Sequence, residues 1–157
     1  MFAVAVTYLI RRGEAGDEVL LGDKLTGIGT GRLVGPGGKL EAGETAEHAA
    51  VREVAEEVGI RVVSLTRIAE LAYSFPHRPA WSQSSTAFVS RDWSGEPAGS
   101  RELEPRWYPI DAIPFERMWD DARLWLPDAL GGRFVRAECS YAADNSTVAS
   151  WHEVTRE

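Results

Sequence analysis

Cysteine and histidine are scarce in this chain, and basic charge is outnumbered by acidic. A single cysteine, Cys139, excludes an internal disulfide and fits a reducing compartment, and it reads as a small buried residue because no histidine is spaced to pair with it. His48, His77 and His152 are scattered and lack the spacing of a zinc site. Lysine and arginine total 17 against 24 acidic residues, a net charge of −7, which argues against DNA or RNA polymers as partners. Long hydrophobic runs are missing too: residues 1–10 are apolar but too short to span a membrane, and they lack the basic start and cleavage pattern of a signal peptide. The expectation is a cytoplasmic protein with no membrane partner. Repeats and low-complexity tracts are absent, and 157 residues, 44% hydrophobic with six tryptophans, can bury a real core, most simply as a single domain over 1–157. Oligomeric state leaves no signal in the pattern.

What is present is chemistry concentrated between Gly35 and Ile60. Gly35, Gly37 and Gly38 let backbone approach a ligand closely. A carboxylate-rich segment follows, in which Glu53, Glu56 and Glu57 stand at i, i+3 and i+4 and so share one side of a helix. Three stacked like charges repel unless divalent cations neutralise them, and hard oxygen ligands suit Mg²⁺ or Mn²⁺. Val51, Val54, Ala55 and Val58 form an apolar stripe opposite, expected to dock the helix on a sheet. Thr45 is placed to cap the start, and Gly59 to end the helix in the left-handed conformation. Lys24, Arg32 and Lys39 lie near enough to offset phosphate charge. Two other motifs fail: Gly27 to Gly31 lacks the third spaced glycine of a dinucleotide loop and reads as a turn, while Leu33 and Leu40 stand where a P-loop needs Gly and Ser or Thr.

Along the rest of the chain, strands are expected near 2–10, 19–22, 62–65, 68–75, 84–90, 107–110, 134–141 and 148–154. Residues 94–104 read as a loop, and 116–130 as a second helix ended by Gly131 and Gly132.

Gly38, five residues, Glu44, seven residues, then Arg52-Glu53-Val54-Ala55-Glu56-Glu57-Val58-Gly59-Ile60 resembles the Nudix box of the MutT-type hydrolases at every fixed position. The resemblance implies an α/β protein, an α/β/α sandwich around a central mixed sheet. Further on, Trp107 to Phe115, Met118-Trp119, Asp121 and Trp125-Leu126-Pro127 resemble the C-terminal half of the oxidised purine nucleoside triphosphatases, the animal MutT homologues that hydrolyse 8-oxo-dGTP.

On that resemblance the metal ligands fall on the Gly38 carbonyl and on Glu53, Glu56 and Glu57, with Glu102 as a further acid outside the box. Arg52 would orient a box carboxylate, and Glu44 would brace the loop or bind a metal water. Water activated by Mg²⁺ or Mn²⁺ would attack a phosphorus of a nucleoside triphosphate, with Glu57 or Glu53 as general base. Both stand on one helical side, so spacing alone leaves the choice open. Trp119 would stack on the base and Asp121 bond its edge, with Tyr8, Tyr73 and Phe75 lining the same pocket. The base-binding pattern departs from the animal enzymes: Leu33-Val34 replaces a Trp-Asn pair, and Ala122 replaces the second of two tandem carboxylates. The expected function is therefore hydrolysis of 8-oxo-dGTP or 8-oxo-GTP to the monophosphate and pyrophosphate. The alternatives are another nucleoside diphosphate derivative, such as ADP-ribose or a nucleotide sugar, and a non-catalytic nucleotide sensor.

Overall fold

The computed structural model describes residues 1–155. Its strands are β1 (Phe2–Gly13), β2 (Gly16–Lys24), β3 (Leu33–Val34), β4 (Gly37–Lys39), β5 (Arg61–Val62), β6 (Thr66–Ser74), β7 (Gln83–Ser90), β8 (Trp93–Ser94), β9 (Leu103–Pro109), β10 (Val135–Tyr141) and β11 (Val148–Glu153). Two α-helices, α1 (Ala46–Val58) and α2 (Ala122–Leu130), complete the fold with three short 3₁₀ turns. One mixed sheet runs β11-β10-β6-β7-β1-β2-β3, with β4 paired to β1 and β9 to β2; β5 and β8 form a separate pair. Strands β1 and β7 are parallel, as are β6 and β10, and the other pairings are antiparallel.

Strand β1 organises the molecule. Side chains alternate across a strand, and here Ala5 packs with Ala49 and Ala50 of α1, and Leu9 with Val54 and Val58. Tyr8 and Ile10 turn the other way, against Ala122, Trp125, Leu126 and Ala129 of α2. The sheet is therefore covered by one helix on each side, the expected α/β/α sandwich.

Helix α1 starts and stops where expected. Thr45 Oγ1 accepts the His48 N–H at 3.1 Å, and Gly59 takes φ 71° and donates to the Ala55 carbonyl. Its packed side differs. Ala50, Val54 and Val58 are buried beside Ala49, Glu53 and Glu57, whereas Val51 and Ala55, expected in the stripe, are exposed. Consecutive residues stand about 100° apart around a helix, so turning Glu57 inward beside Glu53 turns Glu56 out. The three box carboxylates thus divide two in, one out.

Other boundaries moved for local reasons. The second helix begins at Ala122, not Glu116, because Met118 is extended (ψ 174°) after a 3₁₀ turn at Phe115–Arg117. The expected loop 94–104 is trimmed at both ends, by Ser94 in β8 and by β9, whose ladder with β2 extends back to Leu103. The strand expected over 62–65 is confined to Arg61–Val62. Glycine-rich β4 is a strand that composition did not suggest: a Cβ on Gly37 would sit 2.3 Å from the Ala5 carbonyl oxygen, so only hydrogen fits against β1. Cys139 is buried as expected, its thiol pushed up to about 12 by that burial.

Candidate active site

Helix α1 presents Glu53 and Glu57, and the turn before β9 presents Glu102; one carboxylate oxygen from each lies within 4.8 Å of the others. Backbone fixes this group. Glu57 Oε1 accepts the Gly37 N–H at 2.6 Å, and a Cβ on Gly38 would meet the Glu53 carboxyl at 2.6 Å, so β4 runs hard against the acids. Arg52 braces the other flank. Its guanidinium donates to both Glu44 oxygens at 2.7 and 2.8 Å, to Glu53 at 2.8 Å, to Glu56 at 3.2 Å and to the Lys39 carbonyl at 3.0 Å. Glu44 also accepts the Glu41 N–H at 2.9 Å, which closes the loop before α1.

Electrostatics separates these acids. Hydrogen bonds from Arg52, then from the Glu41 backbone, hold the Glu44 carboxyl at about 2. Burial pushes Glu57 up to about 7, against the Gly37 hydrogen bond and with help from the Glu53 and Glu102 charges. Burial also raises Glu53. Hard oxygen donors crowded together, two of them buried and, among the described residues, with only Arg52 paired to the group through Glu53, fit a divalent cation such as Mg²⁺ or Mn²⁺. Glu56 lies outside this group, exposed and bonded to Arg52.

The same carboxylates line a cavity of about 460 Å³ whose walls include Tyr8, Tyr73, Phe75, Trp119 and Asp121, with Lys24, Gly38 and Lys39 also on its lining. Lys39 Nζ lies 4.4 Å from the Phe2 ring centre. Trp119 precedes α2 and meets Phe75, Trp81 and Tyr141 edge-on at 5.5 to 6.2 Å. Arg32, expected near phosphate, lies instead over Trp119 at 4.3 Å and donates to the Met118 carbonyl and Ser146 Oγ, because the turn before β3 carries it onto that ring. Gly29 closes on the ring's edge, where an added Cβ would be 2.8 Å from Trp119 Nε1. Asp121 is 3% exposed and bonded to Tyr73, Tyr141 and Trp125; burial pushes its carboxyl up against the pull of these donors. Leu33, Val34 and Ala122 line the cavity with apolar surface.

Sequence reasoning missed Tyr141 and the Trp125 indole as partners of Asp121, and Gly29 and Arg32 as supports of Trp119. The alternation of β1 was the available signal for Phe2, Val4 and Val6, which line the cavity with Tyr8. Tyr141 had none, since it meets Tyr73 only through the pairing of β6 with β10; Tyr73 itself lines the cavity as expected.

Comparison with known proteins agrees with this geometry. An oxidized purine nucleoside triphosphate hydrolase of Danio rerio is 43% identical over 110 residues, 70% of each chain. Its namesake in Mus musculus is 38% identical over 110 residues, again 70% of each chain. The crystal structure of a MutT protein from Bacillus halodurans superposes with a TM-score of 0.80 at 22% identity, covering 98% of this chain and 97% of that one. The family model described as NUDIX domain matches residues 1–129, and the chain belongs to that family.

Proposed function

We propose that this chain hydrolyses oxidised purine nucleoside triphosphates, 8-oxo-dGTP or 8-oxo-GTP, to the monophosphate and pyrophosphate. Family membership and its named hydrolase relatives make it a pyrophosphohydrolase. One observation carries the substrate reading: a single cavity holds the carboxylate group and an aromatic pocket with a buried acid, so phosphate chemistry and base binding share one space. We further read residues 1–157 as one Nudix domain working in the cytoplasm; among the described residues no helix is long and apolar enough to cross a membrane.

Glu53, Glu57, Glu102 and the Gly38 carbonyl would hold Mg²⁺ or Mn²⁺, whereas Glu56, expected among the ligands, is turned out of this group and paired with Arg52. Bound there, the cation supplies charge to offset the phosphate oxygens and lowers the pKa of water. Glu57 is the better placed general base, since Gly37 aims its carboxyl at the cavity it lines, whereas Glu53 is occupied by Arg52. Arg52 orients Glu53, and Glu44 holds Arg52. Lys24 and Lys39 would meet the phosphates. Arg32 lies over the Trp119 ring, and a base would stack on that ring where it lines the cavity.

The apolar lining at Leu33, Val34 and Ala122 favours one second reading, a nucleoside diphosphate derivative such as ADP-ribose or a nucleotide sugar. A non-catalytic sensor would have no need of the complete set of Glu44, Arg52, Glu53 and Glu57. A product-resolved screen with Mg²⁺, using 8-oxo-dGTP, dGTP, 8-oxo-GTP, ADP-ribose and a nucleotide sugar at equal concentration, tests these readings. Fastest turnover of an 8-oxo triphosphate, with pyrophosphate released, is the expected result. A faster diphosphate derivative overturns it, and binding without turnover of any nucleotide makes the chain a sensor.

A further inference from the structure

On the floor of the cavity, the Asp121 carboxylate is met from three sides. Oδ2 accepts from Tyr73 Oη at 2.6 Å and from Trp125 Nε1 at 2.8 Å, and Oδ1 accepts from Tyr141 Oη at 2.5 Å. An indole N–H only donates, which fixes Oδ2 as an acceptor. Tyr141 Oη also receives the Asp121 backbone N–H at 3.3 Å, so its own proton is the one directed at Oδ1. The Tyr73 hydroxyl has Asp121 as its acceptor.

The consequence is a matter of proton count. Each hydroxyl has one proton, and both protons point inward at Asp121. With those protons committed, Tyr73, Tyr141 and Asp121 have only lone pairs left to offer the cavity they line. Nearby Leu33, Val34 and Ala122 supply neither donor nor acceptor from their side chains. A floor of this kind satisfies a base edge rich in N–H groups and leaves a ring-nitrogen lone pair facing another lone pair, an unmade hydrogen bond in a buried site.

Resting on the nucleotide reading above, we propose that Tyr73 and Tyr141 are specificity-determining positioning residues: by committing their hydroxyl protons to Asp121 they keep it an acceptor, and the pocket selects purines with adjacent N–H donors on the bound edge. Guanine and 8-oxoguanine carry such an edge in N1–H and the 2-amino group. Hypoxanthine keeps only N1–H, and adenine offers an N1 lone pair.

The test compares kcat/KM for dGTP, dITP and dATP in the parent, Tyr73→Phe and Tyr141→Phe, beside calorimetric binding of GMP, IMP and AMP. The parent should favour guanine over adenine by about tenfold or more, the equivalent of one hydrogen bond, with hypoxanthine between. Either phenylalanine removes a donor from a buried carboxylate, which then protonates more readily and can donate to adenine N1, so the ratio should fall about threefold or more. Lower turnover on every base with an unchanged ratio means the tyrosines only support the fold, and overturns the proposal. A parent that hydrolyses no triphosphate sinks the triphosphatase reading alone. The floor is then read from binding, where GMP ahead of AMP sustains the proposal and equal affinity ends it. Should one variant fail to fold, the other and the parent's base series still decide.

Discussion

Glu57 Oε1 and the Gly37 backbone N–H are 2.6 Å apart, so a helix carboxyl is aimed into the cavity by the main chain of a neighbouring strand. A glutamine keeps that acceptor but has no carboxylate to take a proton. Glu57→Gln should lower kcat by about 10²- to 10⁴-fold, the range for a general base, while circular dichroism stays that of the parent. Turnover near the parent rate would remove Glu57 from proton transfer.

A cation held by Glu53, Glu57 and Glu102 binds only the folded chain, so Mg²⁺ should raise the melting temperature. Saturation a hundredfold above Kd corresponds to about 2.7 kcal/mol of added stability. Glu102→Gln should move the titration to higher Mg²⁺. If neither Mg²⁺ nor Mn²⁺ shifts the melt, this group is not a cation site.

Acid should release the loop before α1. The Glu44 carboxyl is held at about 2, below its ordinary 4.5. A depressed folded value means its stabilising contribution is present in full above 4.5 and is lost as pH falls from there toward 2. The stability gap between the parent and Glu44→Gln should therefore narrow through that window in urea melts taken at successive pH. A gap that does not change with pH would separate Glu44 from acid sensitivity.

Gly29 and Gly31 provide a matched pair. Both have positive φ, 83° and 92°, but a Cβ strikes Trp119 only from position 29. Alanine at either position costs about 1 kcal/mol of backbone strain. Gly29→Ala should in addition raise KM by more than it lowers kcat, because the ring proposed to stack on the base is displaced; Gly31→Ala should leave KM near the parent's. Equal effects on KM would mean that strain alone is at work.

The acidic half of this site was readable in the chain because its parts are local. Glycines, Glu44, Arg52 and the helical acids sit within one loop and one helix, where spacing translates into geometry. Glu56 shows where spacing falls short: i, i+3 and i+4 share a side loosely, and the 100° step between neighbours decided which acids turned in. The aromatic half depends on contacts between distant strands. Tyr73 reaches Asp121 across 48 positions and Tyr141 across 20, with no local pattern to announce either. The late start of α2 came from an extended Met118 that the run of helix formers after Phe115 concealed.

Strand β1 writes two texts in alternate letters. Phe2, Val4, Val6 and Tyr8 line the cavity, while Ala5 and Leu9 hold α1. Point changes at the even positions can re-line the pocket and drift its substrate range without repacking the helix that carries the acids. Inserting one residue would exchange the two texts at once, emptying core and pocket together. Chains built on this plan are free to diversify by substitution along β1, and are held to its length.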